Sequence, residues 1–198
     1  THRIDVVNVT PTYASHLIEQ GLLDAYPPAL VLLGGEAVGD AVWTALRTTD
    51  GVLGYNLYGP TEYTINTLGG GTDESATPTV GRPIWNTTAS VLDGWLRPVA
   101  DGIPGELYVS GAGAARGYLG QPGQTAVRFV ADPLGDGERM YRTGDLMRRN
   151  PSGHHDYLGR TDDQIKIRGH RIELGEIESV VGAVDGVRSA AVIVDANR

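Results

Sequence analysis

The first ninety residues alternate strand and helix signals, and that order leaves few folds open to the chain. Residues 4–9, IDVVNV, are rich in β-branched side chains. Thr10 and Pro11 then supply a helix start with proline in the first turn, and Gly21 supplies its end. A second strand, ALVLLGG at 29–35, is followed by a helix at 40–49, DAVWTALRTT, and a third strand at 51–59, GVLGYNLYG. Connections this short in the order β-α-β-α-β predict a parallel sheet and α/β architecture.

From about Gly81 the texture changes. Strand-length runs in 87–111 are broken by Asp93-Gly94 and Asp101-Gly102, which are hairpin signals, so this part is expected to be mainly antiparallel and barrel-like. Residues 124–133, QTAVRFVADP, read as a short helix ended by Pro133, and strands are expected at 139–143, 154–159 and 163–169, with a turn at Asn150–Gly153. Past Arg160 the pattern is α+β. A hairpin surrounds KIRGHRIE at 166–173, and a helix at 173–184 carries Ile177, Val180, Val181 and Val184 on one face and is capped by Gly186. A strand, SAAVIVD at 189–195, closes the pattern. The expected units are a partial parallel αβ unit at 1–82, an antiparallel β unit at 83–161 and a small truncated α+β unit at 162–198.

Composition excludes several classes. A formal net charge of -8 argues against a phosphate-backbone binder, so nucleic acid is not an expected partner. No cysteine is present, which removes disulfides and thiolate metal sites. The five histidines show no ligand spacing such as HExxH. Ser110 and Ser152 lack a nucleophile-elbow context, so a hydrolase triad has no support. No apolar run approaches the roughly 18 residues of a membrane helix, and residues 1–13 lack a signal peptide's blocks, so a cytoplasmic protein is expected. Both ends read as cut from something longer.

Three segments combine residue types that suit chemistry. In 56–64, NLYGPTEYT, a Gly-Pro turn falls at the C-terminal end of a parallel strand, where open α/β sheets bind ligands. Tyr58 offers a ring to stack, Thr61 a hydroxyl for an anionic oxygen, and Glu62 a hard oxygen for Mg²⁺ shared with phosphates; a plain surface turn fits the pentapeptide equally well. In YRTGDL, residues 141–146, a Thr-Gly turn ends a strand and presents Asp145, which suits either two ribose hydroxyls or the capping of the turn. Arg160, Lys166, Arg168 and Arg171 crowd around Gly169, a cluster fit for phosphate or for a solvated hairpin face.

Taken in order, NLYGPTE, GELYVSGAGAARGYLG, YRTGDL and GRTDDQIKIRGHRIELGEIE resemble four successive motifs of adenylate-forming enzymes, specifically the adenylation domains of nonribosomal peptide synthetases. The resemblance covers almost the whole chain. It implies the C-terminal part of an adenylation core plus the start of its mobile small subdomain. Such domains activate an amino acid with ATP, release pyrophosphate and load the phosphopantetheine thiol of a carrier domain. By resemblance, Gly35, Asn56, Tyr58, Asp145 and Arg160 would bind the nucleotide, with Asn56 on the adenine amino group and Asp145 on the ribose. Thr61, Glu62 and Arg171 would serve catalysis, Glu62 through Mg²⁺. Asp162 would be the hinge of the small subdomain, and Gly169 would line the pantetheine tunnel. The phosphate loop, the aspartate for the substrate's amino group and the C-terminal lysine of the family are not in the chain, which predicts that it is inactive without adenylation segments that supply them.

The resemblance also assigns a side-chain pocket to Asn8, Leu32, Gly34, Leu57, Ile65 and Asn66. A glycine for depth, apolar walls and two neutral amides suit a long side chain with a polar, uncharged end. The series is similar to family pockets for N5-hydroxyornithine or its acylated forms, building blocks of siderophores, while glutamine or threonine remain open. Residues 123–133 resemble the segment that meets MbtH-like helper proteins, though a plain amphipathic helix reads equally well. A condensation domain is a further implied partner. The competing classes are a non-catalytic docking module built on this fold and an acyl-CoA ligase.

Overall fold

The computed structural model describes residues 3–135, 137–167 and 169–194. Arg168 of the basic cluster lies outside the described residues, as does Asp195 at the end of the last expected strand. The first sheet has five strands in the order β1 (Val6–Val9), β2 (Leu30–Gly34), β3 (Leu53–Tyr58), β4 (Leu68–Gly71) and β5 (Arg82–Pro83). Strands β1, β2 and β3 are parallel, and β4 adds to β3, and β5 to β4, in antiparallel fashion. Helices α1 (Pro11–Glu19) and α2 (Asp40–Thr48) make the crossovers. Thr10 caps α1 by accepting the Tyr13 amide, and Pro11 occupies the first turn, where a missing N–H costs nothing.

Period-two alternation decides what each face of this sheet does. Val31 and Leu33 are fully buried and pack with Ala14, Val42, Trp43 and Leu46 from the helices. Asn8, Leu32 and Tyr55 are register partners on the opposite face, joined by Gly34 and Leu57 two residues further on. The helix-free face therefore carries most of the expected pocket residues.

The second sheet is antiparallel, in the order β10 (His155–Arg160), β9 (Arg139–Arg149), β7 (Gly105–Gly111) and β6 (Thr87–Leu92), with β8 (Phe129–Ala131) also on β9. One apolar cluster, including Tyr58, Tyr63, Leu107, Phe129, Tyr141 and Met147, serves both sheets. A Gly81–His155 bridge ties them together. Gly81 is obligatory there, since a Cβ would lie 1.9 Å from the Gly69 carbonyl oxygen. A separate hairpin, β11 (Gln164–Ile167) with β12 (His170–Glu173), leads into α4 (Leu174–Gly182). Among the described residues no helix is long and apolar enough to cross a membrane.

Several local expectations are corrected. The third strand begins at Leu53 rather than Gly51, because Gly51 turns the chain with a φ of +76°. Of the two Asp-Gly pairs only Asp93-Gly94 turns the chain back on itself, closed by an antiparallel Leu92–Pro98 bridge. Both pairs lie in the single β6–β7 connection, where the Asp93 carboxylate accepts the Trp95 and Arg97 amides and closes its own turn. The expected helix over 124–133 is instead α3 (Pro122–Arg128) followed by β8, because Phe129 is drawn into the core beside Tyr118 and Tyr141. Strand β9 does not end at Thr143 but runs through a bulge to Arg149. Helix α4 stops at Gly182 with Ala183 as its cap, and Gly186 turns the chain beyond it. Residues 189–194 form no strand, having no backbone partner among the described residues. The expected apolar face is exposed, not packed: Ile177, Val180 and Val181 of α4 and Val184 just beyond it all face solvent.

Candidate active site

The bulge in β9 is where the second sheet meets the first. Opposite Leu107 the ladder shifts register, with Glu106 paired to Leu146 and Tyr108 to Arg142, so β9 carries extra residues around Gly144. Gly144 takes a φ of +77°, and the Thr143 hydroxyl pins the turn by accepting the Asp145 amide at 3.0 Å while donating to the Leu107 carbonyl at 2.8 Å. The bulge aims Asp145 at the end of β3. The Tyr58 hydroxyl donates to one carboxylate oxygen, and Arg160 Nη1 donates to the other at 2.6 Å. Burial pushes the Asp145 pKa above its ordinary value, with the Arg160 charge pulling the other way. Burial and then the Asp145 charge hold the Tyr58 phenol well above its usual pKa, so it remains a donor.

Two adjoining cavities open at this strand end. The first, about 460 Å³, is lined by Gly35, Asn56, Tyr58, Thr79, Tyr157 and Arg160 among others. The second, about 530 Å³, is lined by Asn8, Gly34, Leu57, Thr61, Ile65, Asn66, Asp145, Gly169 and Arg171 among others. Gly35, Tyr58, Arg160 and Lys166 belong to both walls. In the first cavity the Asn56 amide group donates to the Thr79 carbonyl at 2.8 Å, which leaves its carbonyl oxygen as the acceptor on offer. In the second, Thr61 is exposed and Ile65 and Asn66 stand on the turn beyond it, where Ile65 has a φ of +69°. Leu32 shares the face of Asn8 and Gly34 but is not in the cavity wall, although its register partner Asn8 is.

Glu62 lines neither of these two cavities. Its carboxylate accepts Arg171 Nη1 at 2.8 and 2.7 Å and the Tyr118 hydroxyl at 2.6 Å, and it faces a third cavity of about 860 Å³ between α3 and the start of α4. Burial raises the Glu62 pKa, but the Tyr118 hydrogen bond and the Arg171 charge outweigh it and hold the acid below its ordinary value. Arg171 lines both the second and third cavities. Tyr118, Tyr141, Arg128 and Lys166 were not singled out as site residues from sequence. Only Lys166 carried a signal, its place in the basic cluster.

The small hairpin is fastened by charge. Arg160 reaches Asp145, both oxygens of Asp162 at 2.6 and 2.9 Å and the Thr143 carbonyl, while Arg128 Nη2 donates to Asp162 at 3.1 Å. At the hairpin tip Gly169 lies beside Gly35, 3.8 Å from where a Cβ would stand. Burial works against the charged form of Asp162, yet hydrogen bonds from Arg160 and Arg128 bring its pKa down to about 2. A depressed acid stabilises the fold above its ordinary pKa and loses that contribution as pH falls through the folded value. Wild-type β11–β12 should therefore loosen between about pH 4 and pH 2, whereas Asp162→Asn should already be loose at about pH 5. Peptic cleavage within 162–173 across that range measures it, and identical profiles for the two proteins would remove the role given to these ion pairs.

Among the described residues no cluster of three metal-ligating side chains exists. One buried carboxylate beside an open cavity suits a cation that takes its other ligands from phosphate and water, which is Mg²⁺ chemistry. The donor set around Tyr58 and Asp145, with a free amide acceptor and a carboxylate, suits an adenosine.

Comparison with known proteins identifies the family and the fold. The family described as AMP-binding enzyme matches residues 1–119. Vanchrobactin synthetase VabF of Vibrio anguillarum is 46% identical over 97% of this chain, which spans 7% of that protein. The solved structure of holo-PA1221, described as an NRPS protein containing adenylation and PCP domains bound to a vinylsulfonamide inhibitor, superposes with a TM-score of 0.87 at 28% identity, covering 96% of this chain and 34% of that one. The Vibrio cholerae adenylation domain AlmE, solved with glycyl-adenosine-5'-phosphate, gives 0.83 at 29% identity over 96% of this chain and 38% of that one. The chain belongs to the AMP-binding enzyme family, as a stretch of an adenylation domain of the nonribosomal peptide synthetase kind.

Proposed function

We propose that this chain forms the nucleotide-facing part of a domain that activates an amino acid with ATP, releases pyrophosphate and passes the aminoacyl group to the phosphopantetheine thiol of a carrier protein. The observation that carries the reading is Asp145 in the wall of the second cavity, held by Tyr58 and Arg160, whose side chains line both cavities. The first cavity takes the base, with the Asn56 carbonyl oxygen accepting the adenine amino group and the Tyr58 ring against its plane. Asp145 takes the ribose. Each carboxylate oxygen has a second lone pair, so its bonds to Tyr58 and Arg160 leave room for two hydroxyls. Thr61, Glu62 and Arg171 are assigned to the phosphate side, where Glu62 would hold Mg²⁺ and the ion would neutralise charge on the phosphates. The chain's own contribution is positioning and fixed charge. It needs adenylation segments bearing a phosphate loop and a lysine to turn over.

We assign three units to the chain: 1–82 and 83–161 of the core and 162–198 of the mobile subdomain, with Asp162 as hinge and Gly169 on the pantetheine path. A condensation domain in the parent synthetase, an MbtH-like protein on α3 and a cytoplasmic setting complete the proposal. The exposed Val127 of α3 supports the helper surface.

For the amino acid we propose N5-hydroxyornithine or an acylated form, destined for a siderophore. The only carboxylate lining the second cavity is Asp145, and it is tied to Arg160 and Tyr58, so a buried side-chain ammonium has no partner there among the described residues. Amino-acid-dependent pyrophosphate exchange over a wide panel, run on a domain that includes this chain, tests the reading. Exchange with hydroxyornithine supports it, silence across the panel refutes adenylation, and response to another amino acid alone refutes the substrate. A Cβ at Gly34 would sit 3.3 Å from the Leu57 carbonyl oxygen, so Gly34→Val should close the floor. The KM for a long side chain should rise about 10- to 200-fold with that for ATP unchanged, as measured in the same assay.

A further inference from the structure

Glu62 is 7% exposed, sits on the Thr61–Tyr63 3₁₀ turn and shares its charge with a residue 109 positions away on the small hairpin. We infer that Tyr118 is a positioning residue that holds this carboxylate for exchange between two cations, the Arg171 guanidinium while β11–β12 is docked and a divalent metal ion while it is not. The second cation rests on the adenylation reading; the first does not. The Tyr118 hydroxyl donates to Oε1, and the Ala115 amide donates to the Glu62 carbonyl at 2.9 Å, so one loop fixes both the backbone and the side chain of the acid. Arg171 Nη1 lies 2.7 to 2.8 Å from both oxygens. With one guanidinium nitrogen across both oxygens, a metal ion gains the carboxylate only when the hairpin withdraws.

Tyr141 is fully buried beside Glu62 and Arg171 and, with the Tyr118 hydrogen bond and the Arg171 charge, helps hold the acid below its ordinary pKa. When Arg171 leaves, the Tyr118 hydroxyl still holds Oε1, and Oε2 loses its partner. Because each cation excludes the other, metal binding and hairpin docking oppose one another with equal coupling.

Hydrogen exchange over 164–173 in this chain, with MgATP and with ATP plus chelator, tests the exchange of cations. Without metal, Tyr118→Phe and Arg171→Gln should exchange the hairpin amides at least about tenfold faster than wild type, as expected for losing a hydrogen bond to a charged group. MgATP should speed the wild-type hairpin, and Glu62→Gln should be fast and blind to the metal. In a domain that turns over, Tyr118→Phe should raise the Mg²⁺ concentration needed for half-maximal pyrophosphate exchange while kcat at saturating metal is kept. If Tyr118→Phe loosens every strand, Arg171→Gln, on the exposed hairpin, decides. Hairpin exchange equal to wild type in Arg171→Gln, or a metal response surviving in Glu62→Gln, would overturn the inference. Absence of pyrophosphate exchange in the wild-type domain counts against the adenylation reading alone, since hairpin docking by Arg171 is read without turnover.

Discussion

Replacing Asp145 with alanine is expected to weaken ATP use by about 2 to 4 kcal/mol, the range for deleting a charged partner of two hydrogen bonds. That corresponds to a fall in kcat/KM for ATP of about 30- to 900-fold. The loss has two sources. The ribose loses its acceptor, and the Tyr58 hydroxyl and Arg160 lose the group that orients them toward the nucleotide. Arg160 keeps Asp162 and the Thr143 carbonyl, so the fold should survive with a lowered Tm. Asp145→Asn separates the sources. It retains one acceptor oxygen and nearly the same volume but turns an amide donor toward either Arg160 or Tyr58, so it should recover packing without recovering ATP use. Steady-state pyrophosphate exchange at saturating amino acid measures both variants, and nucleotide kinetics unchanged from wild type would end the ribose role for Asp145.

How much of this site was legible beforehand depends on how far apart its parts lie in the chain. The α/β order was readable from Thr10, Pro11 and the buried run of β2, because capping and periodicity are local. The candidates Asn56, Tyr58, Thr61 and Glu62 share one strand end and could be named together. Asp145 could be named but not aimed, since its direction comes from a bulge at Gly144 that only pairing with β7 reveals. Of the partners of Glu62, Arg171 could be grouped with it only by resemblance and Tyr118 not at all. Tyr118 lies 56 positions away and Arg171 109, and nothing in either neighbourhood says that they meet. The expected strand at 189–195 and the apolar face of α4 show the reverse error, in which a local pattern predicts packing that no described neighbour provides. Phe129 shows tertiary burial overriding a helical reading, as a core aromatic pulls the chain into β8.

Replacing Asp162 with proline is expected to leave adenylate formation within a few-fold of wild type while thioester formation on the carrier falls at least about hundredfold, because proline fixes φ where a hinge must change it. The charges around this residue make the control as informative as the variant. Asp162 accepts Arg160 and Arg128, and the same Arg160 holds Asp145, so any substitution here frees a guanidinium that the ribose site also uses. Asp162→Ser removes those ion pairs and keeps a mobile torsion. If the torsion is the device, the serine variant should load the carrier far better than the proline variant, with both showing the same modest rise in KM for ATP from the loosened Arg160. If the ion pairs are the device, the two variants should fail alike in the second half-reaction. Single-turnover measurement of adenylate and thioester in one domain separates these cases, and an equal collapse of both half-reactions in the proline variant alone would report a damaged fold instead of a locked hinge.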